Sequence, residues 1–241
     1  MSKSDPSILP LTLCLLVLIA LLGACASPDS PEITGMPTGI NDRFLSNELK
    51  VEEWVERFEG ESRAVYAERD NIVKALDLSP GDKIADIGAG TGFFSVLFAD
   101  AVGNSGEVYA VEISPKFLEH LRTISGELAP GVMQVVEGTT RSVALSENTV
   151  DAAFICDVYH HFEAPDDSLA SLRKAIRPGG SLYLIDFRRI PGETPDWLIQ
   201  HVRAGREVFQ SEIEAAGFKF SEEIVLEGLE DNYFLRFENV K

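Results

Sequence analysis

Apolar and polar positions follow two periods along this chain, and the switches between them outline its elements. From 47 to 77 the period is helical: Val51, Trp54, Val55 and Phe58, then, past Gly60, Val65, Ile72, Val73 and Leu76. Leu78 to Asp82, with Ser79, Pro80 and Gly81 between them, is a turn signal. Short apolar runs then alternate with helical stretches. Strands are predicted at Lys83–Ile87, Glu107–Ile113, Val132–Val136, Val150–Cys156 and Ser181–Phe187, and helices at Phe93–Val102, from Pro115 onward, and at Ser168–Ile176. Phe117, Leu118, Leu121 and Ile124 mark the inner side of the middle helix, and Ser114 before Pro115 is a suitable cap. Val150–Cys156 is almost continuously apolar, as a strand covered on both faces should be. A helical stretch from about Pro195 to Ala216 breaks near Gly205. Strands at Phe218–Leu226 and Tyr233–Val240 close the chain, too near each other for a crossover and therefore antiparallel. The alternation predicts an α/β fold, doubly wound on a mostly parallel sheet.

The N-terminus has a different pattern. Residues 8–22 form an apolar run, too short for a comfortable bilayer span but suited to the core of a signal peptide. Lys3 before it is opposed by Asp5. Leu22-Gly23-Ala24-Cys25 follows and resembles a bacterial lipobox, which implies a signal peptide over 1–24 and lipidation of Cys25. Residues 25–43 read as the anchor cysteine and a flexible tether, with three Pro and two Gly. The body, 44–241, reads as one domain. This arrangement implies a membrane-anchored lipoprotein of the bacterial cell envelope, facing the periplasm or exterior. Of three cysteines only Cys156 lies in the body, so neither an internal disulfide nor a cysteine zinc site is expected there.

Charge narrows the ligand class. The 241 residues carry 21 Lys and Arg against 39 Asp and Glu, a formal net of -18. Such a surface repels a nucleic-acid backbone, so no nucleic-acid partner is expected, and polyanionic substrates are disfavoured.

The sharpest local feature is Asp86-Ile-Gly88-Ala-Gly90-Thr-Gly92, where a strand passes into a helix. Glycines let the backbone turn tightly and approach a ligand, and the helix start offers free N–H groups. Glu112 ends the next strand, 20 residues after Gly92. A carboxylate there can accept both hydroxyls of a ribose, which suggests an adenosine-containing ligand. A dinucleotide fingerprint fits poorly, because the position of its third glycine holds Phe93 or Ser95.

These residues resemble the class I S-adenosylmethionine-dependent methyltransferases, small-molecule branch. Asp86, Gly88, Gly90 and Gly92 match motif I of that superfamily, and Glu112 matches its ribose-binding acid. The resemblance covers roughly 45–241 and implies a Rossmann-like sheet of seven strands ending in an antiparallel pair. It further implies S-adenosylmethionine as cofactor and a small-molecule methyl acceptor. Asp86, Gly88, Gly90, Gly92, Glu112, Ile113, Gly138, Thr139 and Asp157 are then the expected cofactor-binding residues. Thr139 departs from the acidic residue often found at its place.

Asp157-Val-Tyr-His-His-Phe162 follows the fourth strand. Asp157, His160 and His161 are the expected catalytic residues, as general base or substrate clamp. No metal is expected, since adjacent histidine side chains tend to diverge and the sequence offers no evident third ligand. Tyr66 and Arg69 could close over the cofactor, with Arg69 on its carboxylate. Asp186–Arg189, His201 and Arg203 could border the acceptor, while Trp54 and Trp197 read as core or lid packing. The alternative reading is a non-catalytic module that binds a nucleoside ligand on the same fold, tethered outside the cytoplasm.

Overall fold

The computed structural model describes Met1 and residues 39–240. The expected signal peptide, Cys25 and most of the expected tether lie outside the described residues. Among the described residues there are seven strands: β1 (Lys83–Ile87), β2 (Glu107–Glu112), β3 (Met133–Glu137), β4 (Val150–Cys156), β5 (Ile176–Phe187), β6 (Phe218–Glu223) and β7 (Asn232–Asn239). They form one sheet in the order β3-β2-β1-β4-β5-β7-β6. β1 to β5 are parallel neighbours, and β7 runs antiparallel to both β5 and β6. This is the Rossmann-like architecture with its antiparallel C-terminal pair. Lys219 and Glu222 on edge strand β6 are exposed, which discourages pairing with another chain.

The helices are α1 (Asp42–Leu45), α2 (Val51–Phe58), α3 (Ala64–Ala67), α4 (Arg69–Ala75), α5 (Phe93–Val102), α6 (Pro115–Glu127), α7 (Pro165–Ala175), α8 (Asp196–His201) and α9 (Arg206–Ala215). Among the described residues, none is long and apolar enough to cross a membrane. Alternate residues of each strand serve two cores. Ala85, Ala153, Ile155, Leu182 and Leu184 pack with Leu169 and Leu172 of α7 and Phe209 of α9. Ile84, Phe154, Tyr183 and Ile185 pack on the opposite face with Ile72 of α4 and Phe94 and Phe98 of α5. Burial of both faces explains why these strands read as nearly unbroken apolar runs.

The differences from the sequence reading are local. β5 starts five residues earlier than predicted, because the Pro178-Gly179 stretch is absorbed as an irregularity in the ladder with β4 rather than ending it. The Ser114 hydroxyl does not cap α6 but donates to the Phe44 carbonyl at 2.5 Å, tying α1 to the start of α6. Asn41, assigned to the tether, is buried within the fold. Its amide donates to the His161 carbonyl at 3.0 Å and to Glu163 Oε1 at 2.8 Å.

Candidate active site

β1 leads outward to β2 on one side and neighbours β4 on the other, so a crevice opens at the carboxyl ends of these strands. A cavity of about 640 Å³ lies there. One end is walled by Asp86, Gly88–Thr91, Glu112, Ile113, Gly138 and Thr139. The other is walled by Arg43, Trp54, Arg63, His160, His161 and His201, with Asp157 and Asn232 also facing the cavity.

The first end is organised around Glu112. Its Oε2 accepts the Gly90 N–H at 2.8 Å, and its Oε1 accepts the N–H groups of Ile113 and Ser114 at 2.7 and 2.9 Å. An ionised carboxylate has about four acceptor positions. Three are filled by backbone, so one is left for a ribose hydroxyl, rather than the two contacts expected from sequence. Burial raises the Glu112 pKa, and the three backbone donors oppose the rise. Asp86 lies beneath the loop and accepts the Ser95 hydroxyl at 2.6 Å. Burial lifts its pKa to about 7, with the Ser95 bond working against the shift and the Glu112 charge adding to it.

The glycines divide by role. Gly88 has a φ of +71°, and a Cβ there would stand 2.5 Å from Val158 Cγ1. Gly90, at φ +55°, would bring a Cβ into ordinary contact with Gly88 O at 3.8 Å and Phe58 Cε2 at 3.9 Å, so its backbone conformation rather than crowding favours glycine. Gly92 is a correction. It does not line the cavity but caps α5 in the left-handed region, and a Cβ there would press on Leu121 and Ile124. Gly138 and Thr139 do line the cavity, held by Gly138 N–H to the Glu112 carbonyl and Thr139 N–H to the Ser142 carbonyl.

At the second end, Asp157 sits at a φ of +53°, a conformation uncommon outside glycine. Its Oδ2 pairs with Arg63 Nη2 at 2.6 Å, and its Oδ1 accepts from Asn232 Nδ2 at 2.8 Å. Burial raises the Asp157 pKa against the pull of Arg63. For Arg63, burial works against the charge, but Asp157 outweighs it and holds the guanidinium above its ordinary value. With both oxygens engaged, Asp157 is better placed to fix Arg63 at the cavity wall than to take a proton. Cys156 beside it is kept as a thiol, chiefly by burial and then by the Asp157 charge.

His160 and His161 lie on a 3-10 turn (Tyr159–His161), and both face the cavity. Asp186, fully buried behind His160, takes its Nδ1–H at 2.8 Å and its backbone N–H at 3.2 Å. Asn41 Oδ1 takes the His161 Nδ1–H at 3.2 Å. The adjacent rings do not diverge, because the tight turn keeps their centroids 4.3 Å apart. His201 of α8 stands 5.1 Å from each, centroid to centroid. Burial, followed by the neighbouring His160, lowers the His161 pKa to about 2 and that of His201 to about 4.

Other expected residues lie elsewhere. Arg69 bonds the Tyr66 carbonyl and Glu61 instead of reaching the cavity, and Tyr66 packs on Phe93. Arg63, six residues earlier, holds the position expected of Arg69. Arg203 is buried in a two-bond pair with Glu212 at 2.6 and 2.7 Å, away from the cavity. Of Asp186–Arg189, only Phe187 lines the wall. Trp197, 60% exposed, edges the cavity. Asn41, Arg43, Arg57, Arg63 and Asn232 escaped the sequence reading. The one signal for any of them was the amphipathic face of α2, whose Trp54 and Phe58 cover the cavity instead of a core.

Known proteins resemble this chain in sequence and in fold. Residues 85–184 match the Methyltransferase domain family. The chain is similar to the ubiquinone/menaquinone biosynthesis C-methyltransferase UbiE of Haemophilus ducreyi, 29% identical over 110 residues, 45% of this chain and 42% of that protein. It is also similar to an uncharacterized transposon protein of Streptomyces fradiae, 33% identical over 52% of this chain and 34% of that one. The chain thus spans less than half the length of these curated relatives. In fold it superposes on an Aquifex aeolicus SAM-dependent methyltransferase with a TM-score of 0.69, at 19% identity, covering 80% of this chain and all (100%) of that one. The matched residues and these neighbours show the fold that methyltransferases share. The residues present fit S-adenosylmethionine, the cofactor that the sequence resemblance implies: a tight backbone turn at Gly88 and Gly90, a strand-end carboxylate with a vacant acceptor position, and a wall at Gly138 and Thr139. The non-catalytic alternative is not favoured.

Proposed function

We propose that the protein transfers a methyl group from S-adenosylmethionine to a small-molecule acceptor bound beside the histidines. The observation that carries this reading is the continuity of the cavity. One 640 Å³ space joins the Glu112–Gly90 end to the His160–His161 end. The cofactor supplies an activated methyl group on a sulfonium sulfur. The chain's own contribution is then mainly placement, which can supply roughly 7–11 kcal/mol in favourable cases. Gly88 and Gly90 let the backbone approach the cofactor, Glu112 receives a ribose hydroxyl, and Ile113, Gly138 and Thr139 flank the base. Arg63, fixed by Asp157, places a positive charge at the wall for a carboxylate. Trp54, Phe58 and Phe187 exclude water from the acceptor end. His161, held neutral by burial, can accept a hydrogen bond from an acceptor hydroxyl or thiol and so orient it. The N-terminal apolar run and Cys25 support the reading that this chemistry is tethered at the cell envelope.

The test is transfer of a labelled methyl group from the cofactor to components of a small-molecule extract, followed by mass spectrometry. A labelled product that vanishes in Glu112→Ala supports the proposal. Absence of transfer by a folded protein that binds the cofactor would overturn it.

A further inference from the structure

The acceptor end contains an arrangement that methyl transfer does not require. One ring nitrogen from each of His160, His161 and His201 lies within 4.8 Å of the other two. The Tyr159–His161 turn and α8 thus bring three imidazoles together at the cavity wall. From this cluster we infer a divalent metal site of the zinc type, with His160, His161 and His201 as ligands and a fourth position open to the cavity.

Three observations carry the assignment. The first is ligand chemistry: three histidines with one open position are a catalytic zinc set, and imidazole also suits cobalt, nickel and iron. The second is orientation. Asp186 accepts the Nδ1–H of His160, which leaves its Nε2 lone pair free. Asn41 is held by its two amide donations to His161 O and Glu163 Oε1, so its Oδ1 must face His161 Nδ1 and leaves that Nε2 free as well. Metal-binding histidines are commonly fixed in this way by a carboxylate or carbonyl on the far nitrogen. The third is distance. A tetrahedral ion with bonds of about 2.0–2.1 Å needs its nitrogens about 3.4 Å apart. Closing separations of up to 4.8 Å to that distance takes about 1.4 Å, shared among small rotations of the three rings.

The surrounding charges act in both directions. Arg43 and Arg57 oppose a cation near His201, and Asp186 favours one. Arg43 is turned onto the Phe44 and Trp54 rings, at 4.7 and 4.9 Å, and Arg57 onto Trp54 at 5.2 Å. Asp157 adds a further negative charge near His160.

The inference stands whether or not the protein transfers methyl groups, and its test reads the metal directly. The full-length chain, purified in detergent and stripped with a chelator, is titrated with Co2+ and followed by visible absorption. The expected result is saturation at one equivalent with the intense bands of four-coordinate cobalt, displaced by Zn2+. His201→Ala should abolish those bands, and Asn41→Ala should weaken binding about 10–100-fold by freeing the His161 ring. His120→Ala, which removes the fourth histidine of the chain, should leave the titration unchanged. Circular dichroism establishes that each variant is folded. Absence of four-coordinate bands in the wild-type chain would overturn the assignment. So would bands that survive His201→Ala, or bands lost in a folded His120→Ala.

Discussion

The cofactor end of the cavity draws on three short segments, 86–91, 112–113 and 138–139, each at the carboxyl end of a strand. The acceptor end draws on Asn41, Arg63, His161, His201 and Asn232, which come from the residue before α1, the residue before α3, a 3-10 turn, α8 and β7. The first end is held by backbone: all three donors to Glu112 are main-chain N–H groups. The second is held by side chains that cross the fold, such as Asn41 to Glu163 and Arg63 to Asp157. A backbone-built end is set as soon as the strands pair. A side-chain-built end can be altered residue by residue without disturbing the sheet, which suits a region that must fit a particular acceptor.

Glu112→Ala should give the largest effect. It strands three backbone donors in a buried place, each worth on the order of 1–3 kcal/mol. Cofactor binding should become undetectable by calorimetry, and the melting temperature should fall. If binding persists, the backbone-built end is not the cofactor end. Arg63→Ala comes next. Breaking a buried ion pair costs about 3–5 kcal/mol, and Arg63, 25% exposed, should lie at or below the lower figure. Denaturant titration should show that loss, and Arg63→Lys should restore only part of it, because one ammonium nitrogen lacks the planar fork whose two nitrogens reach Asp157 and the Phe58 carbonyl separately.

Gly88→Ala should cost about 1–3 kcal/mol from backbone strain alone, with the Val158 clash added. Thermal denaturation would measure it. Asp86→Asn tests a pH effect. The folded-state pKa of Asp86 is raised to about 7, so its contribution to stability is complete below the ordinary carboxyl range and is lost as pH rises through about 7. The variant should remove that loss, so its melting temperature should decline less than wild type as pH rises from about 4 to about 7. The smallest effect should be that of Arg69→Ala. Its pairing with Glu61 is at the surface and is worth about 0–1 kcal/mol, and neither cofactor affinity nor turnover should change. A large loss in that variant would return Arg69 to the cavity.

The contrast between the two ends also explains what could be read from the sequence. Gly88, Gly90 and Glu112 stood out because the tight turn and the strand-end acid lie in one βαβ unit, where spacing along the chain is spacing in the fold. The strands were legible for a related reason: burial of both faces leaves an unbroken apolar run in each. Gly92 had the right residue type at the right spacing, yet its conformation serves the helix cap. Arg63 and Arg69 could not be told apart by pattern, since short helices change direction between them. The third histidine was invisible as a partner, because 40 residues and β5 separate His201 from His161 and only tertiary packing joins them. Asn41 was lost for another reason. A Pro- and Gly-rich stretch reads as tether throughout, although its last residues are anchored by hydrogen bonds 120 and 122 positions away.

The central claim is that the backbone-built end binds S-adenosylmethionine. It is tested most directly by calorimetric titration of S-adenosylmethionine and S-adenosylhomocysteine into the full-length chain, with Glu112→Ala and Arg69→Ala alongside. Binding of both ligands in the micromolar range, retained in Arg69→Ala and lost in a folded Glu112→Ala, is the predicted result. A folded wild-type chain that takes up neither ligand would contradict the account.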